Sequence, residues 1–399
     1  MMEKILLSEG SSLTSRETIT ALRNLGFAVD VLSSSKFPIS AFSIWRHRII
    51  SIPNLNVKPQ KYLSQVSDLV DLKEYSAILP THEEAWLFAE ARKYLPANTP
   101  VAVAPSKSFQ KVQGKIAFAK LADELQISHP HWVLVNKNQS IEFSFPYWIK
   151  MDYGTAGRSI YKVHDSSEKD KIISHFCSND NKLMAQENID GQYGQVQAVF
   201  NHGFMLAVHT SVQQGVGAGG SAAARLSIDC PQTRDDINRI GKHLNWHGGL
   251  TLDFIYHDEK PYYIECNPRM VEPANAERAG VNFPEILINL SSGKRIPQKL
   301  LIGKPGVKTH STMALLLGTA ERTKSRAELF RMLWKCVTLS GSFKDSFEVL
   351  TPVLQDPFSI IPILSVLLRL LINPCNVRKI ANTAIKNYSV TLETIKKLT

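Results

Sequence analysis

The sequence predicts a multidomain chain of mixed α/β and α+β class, and three observations carry that prediction. Strand and helix patterns alternate in the βαβ manner over the first hundred residues. Apolar strands separated by polar, glycine-rich turns follow to about residue 300, and the rest reads as helix. The divisions implied are 1–104, 105–305 and 306–399. A chain of 399 residues with 44% apolar content is long enough for two or three domains with sizeable cores, which excludes a disordered polymer.

In the first division, Lys4 to Ser8 is a short apolar strand, and Thr14-x-x-Glu17 reads as a capping box opening a helix with Ile19, Leu22 and Leu25 on one face. Gly26 stops that helix and Ala28 to Leu32 returns as a strand. Ala77 to Leu79, a helix over 83–94 and a strand at Val101 to Ala104 complete a Rossmann-like sheet domain. The loop Glu9-Gly10-Ser11-Ser12 lacks a GxGxxG fingerprint, so dinucleotide binding is not expected.

The second division opens on a helix from Lys115 to Gln126 with Ile116, Ala119, Ala122 and Leu125 at helical spacing. Tyr147 to Lys150 is a strand that enters the loop Tyr153-Gly154-Thr155-Ala156-Gly157-Arg158-Ser159, and Ile160 to Val163 leaves it. Strands follow at Leu183 to Glu187, Gln195 to Phe200 and Phe204 to His209, then a helix capped by Thr233. Asp253 and Glu265 then sit in two apolar runs joined by the turn His257 to Pro261, a hairpin that brings Asp253, Glu265 and Asn267 to one end of a sheet. In the third division Ser325-x-x-Glu328 caps one helix, Asp356-Pro357 starts an apolar one reaching Ile372, and Asn376 begins the last.

Composition limits the partners. Five cysteines, odd in number and without CxxC pairing, indicate neither a disulfide framework nor a zinc site, and a reducing, cytoplasmic compartment is the expectation. Met1 to Gly10 shows no secretory pattern, and the stretch Pro357 to Ile372 falls short of the roughly 20 residues of a transmembrane helix. The net charge of +10 is spread along the chain, which predicts a solvated basic surface and no nucleic-acid partner.

The chemistry concentrates on the hairpin. Two carboxylates and an amide are hard oxygen donors of the kind that suit Mg²⁺, and Arg269 adds a planar donor for phosphate or carboxylate. Glycines such as Gly154 and Gly157 let backbone N–H groups approach anionic oxygens, though a glycine-rich turn between strands is also an ordinary hairpin. His82 lies at a sheet end beside Glu83 and Glu84, where a helix-start histidine without a ligand is the simpler reading.

In this order the elements resemble the ATP-grasp superfamily over roughly residues 1 to 300, with Asp253, Glu265, Asn267 and Arg269 matching its carboxylate hairpin in type and spacing. The resemblance implies a pre-ATP-grasp domain, two α+β lobes clasping ATP with a hinge near 184–191, and a helical C-terminal region. It implies Mg²⁺, or Mn²⁺ in its place, on Asp253, Glu265 and Asn267, and makes Arg269 the residue meeting the transferred phosphoryl or acyl phosphate. Lys150 and Lys115 become phosphate-contacting lysines, Gly154 to Ser159 the loop over the phosphates, and Gln186, Glu187 and Ile189 the adenine side. Where the family carries a ribose-binding Glu this chain has Tyr193, with Gln192 or Tyr193 as the substitute. In the second glycine-rich stretch, Gln214 to Arg225, the resemblance makes Arg225 a clamp for a substrate carboxylate or acyl phosphate; Glu272 is a candidate for orienting an amine.

The activity implied is an ATP-dependent carboxylate–amine ligase of the amino-acid ligase and carbamoyl-phosphate synthetase branch, acting on a small carboxylate and an amine through an acylphosphate. A biotin-carboxylase-like reaction and a non-catalytic binding module are the alternatives, and a homodimer is the expected assembly.

Overall fold

The computed structural model describes residues 2–72, 75–135, 141–154, 159–177 and 182–398, and three sheets organise them. The first is parallel, built from β1 (Glu3–Leu7), β2 (Phe27–Ser33), β3 (Arg46–Ser51) and β4 (Ala77–Leu79) in the order β3-β2-β1-β4. Ile5, Leu6 and Leu7 are all fully buried, as expected of a central parallel strand covered on both faces. The expected strand at Val101 to Ala104 does not form. That segment runs extended past β4, and Ile78 N–H donates to Pro100 O at 2.8 Å.

The second sheet is antiparallel, with β5 (Trp132–Leu134), β6 (Tyr147–Met151), β7 (Ile160–Val163) and β8 (Leu183–Glu187) in the order β5-β8-β6-β7. Tyr147, Ile149, Val163, Leu183 and Ala185 form a core of its own, against which Ile172, Ile173 and Phe176 of the helix Ser166–Cys177 pack.

The third sheet has eight strands: β9 (Gln192–Asn201), β10 (Phe204–Val216), β11 (Ala222–Ile228), β12 (Gly248–His257), β13 (Lys260–Asn267), β14 (Leu301–Ile302), β15 (Lys308–His310) and β16 (Ser346–Glu348). They run β13-β12-β9-β10-β11-β15-β16, with β14 paired to β10, so strands on both sides of residue 305 share one sheet. The stretch from Gln214 to Arg225 is mostly strand rather than loop. Its turn is short, Ala218–Gly220, and Arg225 sits within β11.

Two predicted caps differ in detail. Ser12, rather than Thr14, caps the helix Leu13–Leu22 by accepting from Ser15 N–H. Glu17 is spent elsewhere: its carboxylate accepts from Ala274 N–H at 3.1 Å, satisfying the open end of the helix Ala274–Arg278. Likewise Thr233 lies inside the helix Pro231–His243, where its hydroxyl donates to Cys230 O.

The C-terminal helices form a layer on the third sheet. The helix Thr312–Thr323 approaches so closely that a Cβ on Gly318 would stand 2.2 Å from Val216 O. The helices Arg326–Thr338 and Ile360–Ile372 pack on it through Leu329, Ile363, Val366, Leu367 and Leu370. A fully buried ion pair, Arg16 Nη2 to Asp356 Oδ2 at 2.6 Å, ties this layer to the helix Leu13–Leu22 beside the first sheet. Beyond it, residues 386–398 return to the elements around the first sheet. Asn54 Nδ2 donates to Lys386 O, Val390 N–H to Glu83 Oε2 at 2.7 Å, and Tyr94 Oη to Leu398 O at 2.8 Å.

Candidate active site

The carboxylate hairpin is β12 and β13. Asp253 pairs directly with Glu265 and Thr251 with Asn267, so Asp253, Glu265 and Asn267 share one face, while Leu250, Leu252 and Phe254 are fully buried on the other. A bulge follows immediately, since the partner of Phe254 is Tyr263. Asp253 Oδ1 accepts from Gln195 Nε2 at 2.8 Å and Oδ2 from Asn267 Nδ2 at 3.1 Å. Burial, then the negative charge of Glu265, pushes the Asp253 carboxyl up to about 6. Two carboxylates held against each other in this way, with an amide beside them, make a donor set that fits a Mg²⁺ ion sharing its shell with phosphate oxygens. Among the described residues no group of three or more His, Cys, Asp or Glu gathers at metal-binding distance, so a cation here would draw on two carboxylates and the Asn267 amide.

Two lysines converge on the same carboxylates. Lys115, at the first position of the helix Lys115–Glu124, lies 3.1 Å from Glu265 Oε1 and donates to Gly154 O at 3.4 Å. Lys150, on β6, donates to Gln186 Oε1 of β8. Burial brings the Lys150 ammonium down to about 8, with Lys115 adding to that and Glu265 and Asp253 opposing it. A Cβ on Gly154 would stand 2.1 Å from Ser159 Oγ. Gly157 lies outside the described residues. Glu187 and Ile189 are half-buried at the end of β8, and Glu187 N–H donates to His131 O at 2.8 Å.

Tyr193, expected on the ribose side, has its hydroxyl beside Asp253. Its hydroxyl accepts from Gln195 Nε2 at 3.1 Å and bonds the Asp253 carboxylate; burial and that negative charge hold the phenol well above its usual range. β9 places Tyr193, Gln195 and Gln197 two residues apart on one face, with Gln195 directly opposite Asp253.

Both candidate arginines are buried and each has an unused donor. Arg225 Nη2 donates to Glu272 Oε2 at 2.7 Å, and Arg269 Nη2 donates to Asn267 Oδ1 at 3.2 Å. The Nη1 of each is buried with no hydrogen-bond partner among the described residues. A buried guanidinium with a free N–H is costly unless an anion completes it. Glu272, a candidate for orienting an amine, is thus an Arg225 partner. Beside it Glu17 is fully buried, and burial followed by the charge of Glu272 pushes its carboxyl up to about 8.

Other residues at the site carry weak sequence signals or none. His82 Nε2 lies 3.4 Å from Arg269 Nη2, and the rings of His82 and Tyr388 stand 4.0 Å apart. Glu265, Asn267 and Arg269 line one cavity with Trp86, Tyr153 and Val390. Gln195 and Gln197 were detectable as polar residues interrupting an apolar strand. Tyr388 had no such mark, being more than a hundred positions from any residue it meets here.

Residues 112–273 match the family model for an ATP-grasp domain. Among curated proteins the chain is similar to the carbamoyl phosphate synthase large chain of Thermoanaerobacter sp. (strain X514), 24% identical over 198 residues. That match covers 45% of this chain and 18% of the relative, so the chain spans about a fifth of the length of that relative. Among solved structures, an L-amino acid ligase from Bacillus licheniformis aligns with a TM-score of 0.54 at 15% identity, covering 72% of this chain and 74% of the other. N5-carboxyaminoimidazole synthetase from Staphylococcus aureus, complexed with ADP, aligns with a TM-score of 0.59 at 14% identity, covering 81% of this chain and 86% of the other. These two likenesses bear on the fold.

Proposed function

We propose that the chain, which matches an ATP-grasp domain across residues 112–273, is an ATP-dependent, ADP-forming ligase joining a small carboxylate to an amine. The observation that carries the reading is the direct pairing of Asp253 with Glu265, with Lys115 bound to Glu265 and Asn267 on the same face. In this reading Asp253, Glu265 and Asn267 hold Mg²⁺, which neutralises the triphosphate when bound. Lys150 and Lys115 bind phosphate oxygens, with Gly154 and Ser159 beside them. Gln186, Glu187 and Ile189 lie on the adenine side.

A carboxylate oxygen of the substrate attacks the γ-phosphorus and ADP leaves, forming an acylphosphate. The amine nitrogen then attacks the acyl carbon, phosphate leaves, and one proton is released from nitrogen. No protein nucleophile is needed, because positioning and charge neutralisation supply most of the acceleration. Arg269 offers its free Nη1 to the transferred group, and Arg225 offers its own to the substrate carboxylate or the acyl phosphate. Replacing Glu265 by Gln should abolish ADP formation, read as ADP and phosphate release against panels of acids and amines, with the melting temperature retained. Near-normal turnover in Glu265→Gln would sink the assignment.

A further inference from the structure

The outer faces of two C-terminal helices carry apolar side chains that nothing among the described residues covers. On Arg326–Thr338, Leu329 and Cys336 point inward, whereas Phe330, Trp334 and Val337 recur at helical spacing and are 55%, 68% and 70% exposed. On Ile360–Ile372, Ile363, Val366, Leu367 and Leu370 are buried, and Ile361, Leu364, Leu368 and Ile372 form an outward stripe exposed from 44% to 75%. The two helices share an inner partner, Thr312–Thr323, and are joined end to end by Arg326, whose guanidinium donates to Leu371 O at 2.6 Å and Ile372 O at 3.1 Å. A soluble surface seldom leaves this much aliphatic and aromatic side chain together without a partner.

The charges around the stripes identify the partner. Lys324, Arg331, Lys335, Lys344, Arg369 and Arg378 are all exposed in this layer. Of the acidic residues between 324 and 386, Asp356 is buried on Arg16, Glu348 turns inward to bond Thr312, and Glu328 is bonded by Arg331; Asp345 is the exception. Apolar residues including a tryptophan, rimmed by cations with little opposing charge, are the composition of a helix that lies in the interface of an anionic bilayer. A second copy of the same basic face would be repelled, and nucleic acid would leave the aliphatic stripe exposed. Among the described residues no helix is long and apolar enough to cross a membrane, so these helices would lie on the surface.

We infer that the helices Arg326–Thr338 and Ile360–Ile372 dock the protein onto a bilayer containing anionic lipid, with Trp334 and Leu368 in the acyl boundary and Arg331, Lys335 and Arg369 at the headgroups. The test is co-sedimentation of the full chain with vesicles of phosphatidylcholine alone or mixed with phosphatidylglycerol, at low and high salt. Binding should be at least roughly tenfold stronger to the mixed vesicles, weaken with salt, and blue-shift tryptophan emission. Trp334→Glu with Leu368→Glu, and separately Arg331→Glu with Lys335→Glu, should each lose binding by roughly tenfold or more while leaving the melting temperature unchanged. Equal binding to both vesicles, none to either, or binding that survives both double variants overturns the inference. So does a native dimer, by light scattering, that Trp334→Glu with Leu368→Glu converts to monomer without any vesicle binding.

Discussion

Replacing Lys150 by Met should stabilise the nucleotide-free protein near neutral pH and remove its response to Mg-ATP. Lys150 is 5% exposed, and its ammonium falls from the ordinary 10.5 to about 8 chiefly because burial strips its water. Such a displacement disfavours the charged form by about 3 kcal/mol in the folded chain. Between about pH 8 and 10.5 the unfolded chain holds a proton that the folded chain has released, so stability rises with pH in that window and the full penalty is present below it. Methionine carries no charge and escapes the penalty, but it leaves Gln186 Oε1 without its donor, which costs about 1 kcal/mol. The net gain at pH 7 is then about 2 kcal/mol, fading as the pH rises toward 10.5. Thermal melts of both proteins across that range measure it directly. A methionine variant that melts at or below the parent at pH 7, or a difference that ignores pH, would refute the reasoning; retained stabilisation by Mg-ATP would refute the phosphate role of Lys150.

Three further outcomes follow from the same geometry. Mg²⁺ alone should raise the melting temperature of the native protein but not of Asp253→Asn. Its affinity should fall as the pH drops through about 6, where a proton competes for the Asp253 carboxylate, and titration calorimetry across that range checks it. Asp356→Ala should destabilise by about 3 to 5 kcal/mol by leaving Arg16 charged and buried, whereas Arg16→Met with Asp356→Leu should recover most of that loss in the same melts. Tyr388→Ala should raise KM for the acceptor roughly tenfold or more with KM for ATP unchanged, because the ring packs on His82 beside Arg269; equal changes in both constants would rule out an acceptor-side role.

The hairpin was legible because its chemistry is local. Asp253 and Glu265 sit in two apolar runs a turn apart, and a period of two places them on one face before any tertiary contact is known. Lys150 was legible for a similar reason, as a cation ending an apolar strand. The direction of Tyr193 was not, since a position that aligns with a ribose ligand says nothing about which face of β9 the phenol takes. Glu17 differs from its expected role for a physical reason: a capping box and a buried carboxylate serving a distant helix look the same until the Ala274 N–H is placed against Glu17 as its acceptor. Strands of three residues such as β15 and β16 are too short to show periodicity, and the contacts of Tyr388 with His82 and of Asp356 with Arg16 cross more than three hundred positions.

The third sheet does not stop where the ATP-grasp match ends. β11 is seven residues long and is covered along one side by β15, which in turn is covered by β16. A fragment ending near residue 273 would bare that side as a row of unpaired N–H and C=O groups flanked by Ala222, Ala223 and Ala224, small residues that offer no obstacle to a neighbouring chain. Its failure in solution would therefore be self-association through β11 rather than a plain loss of helix and strand, with the C-terminal residues acting as the guard of that edge.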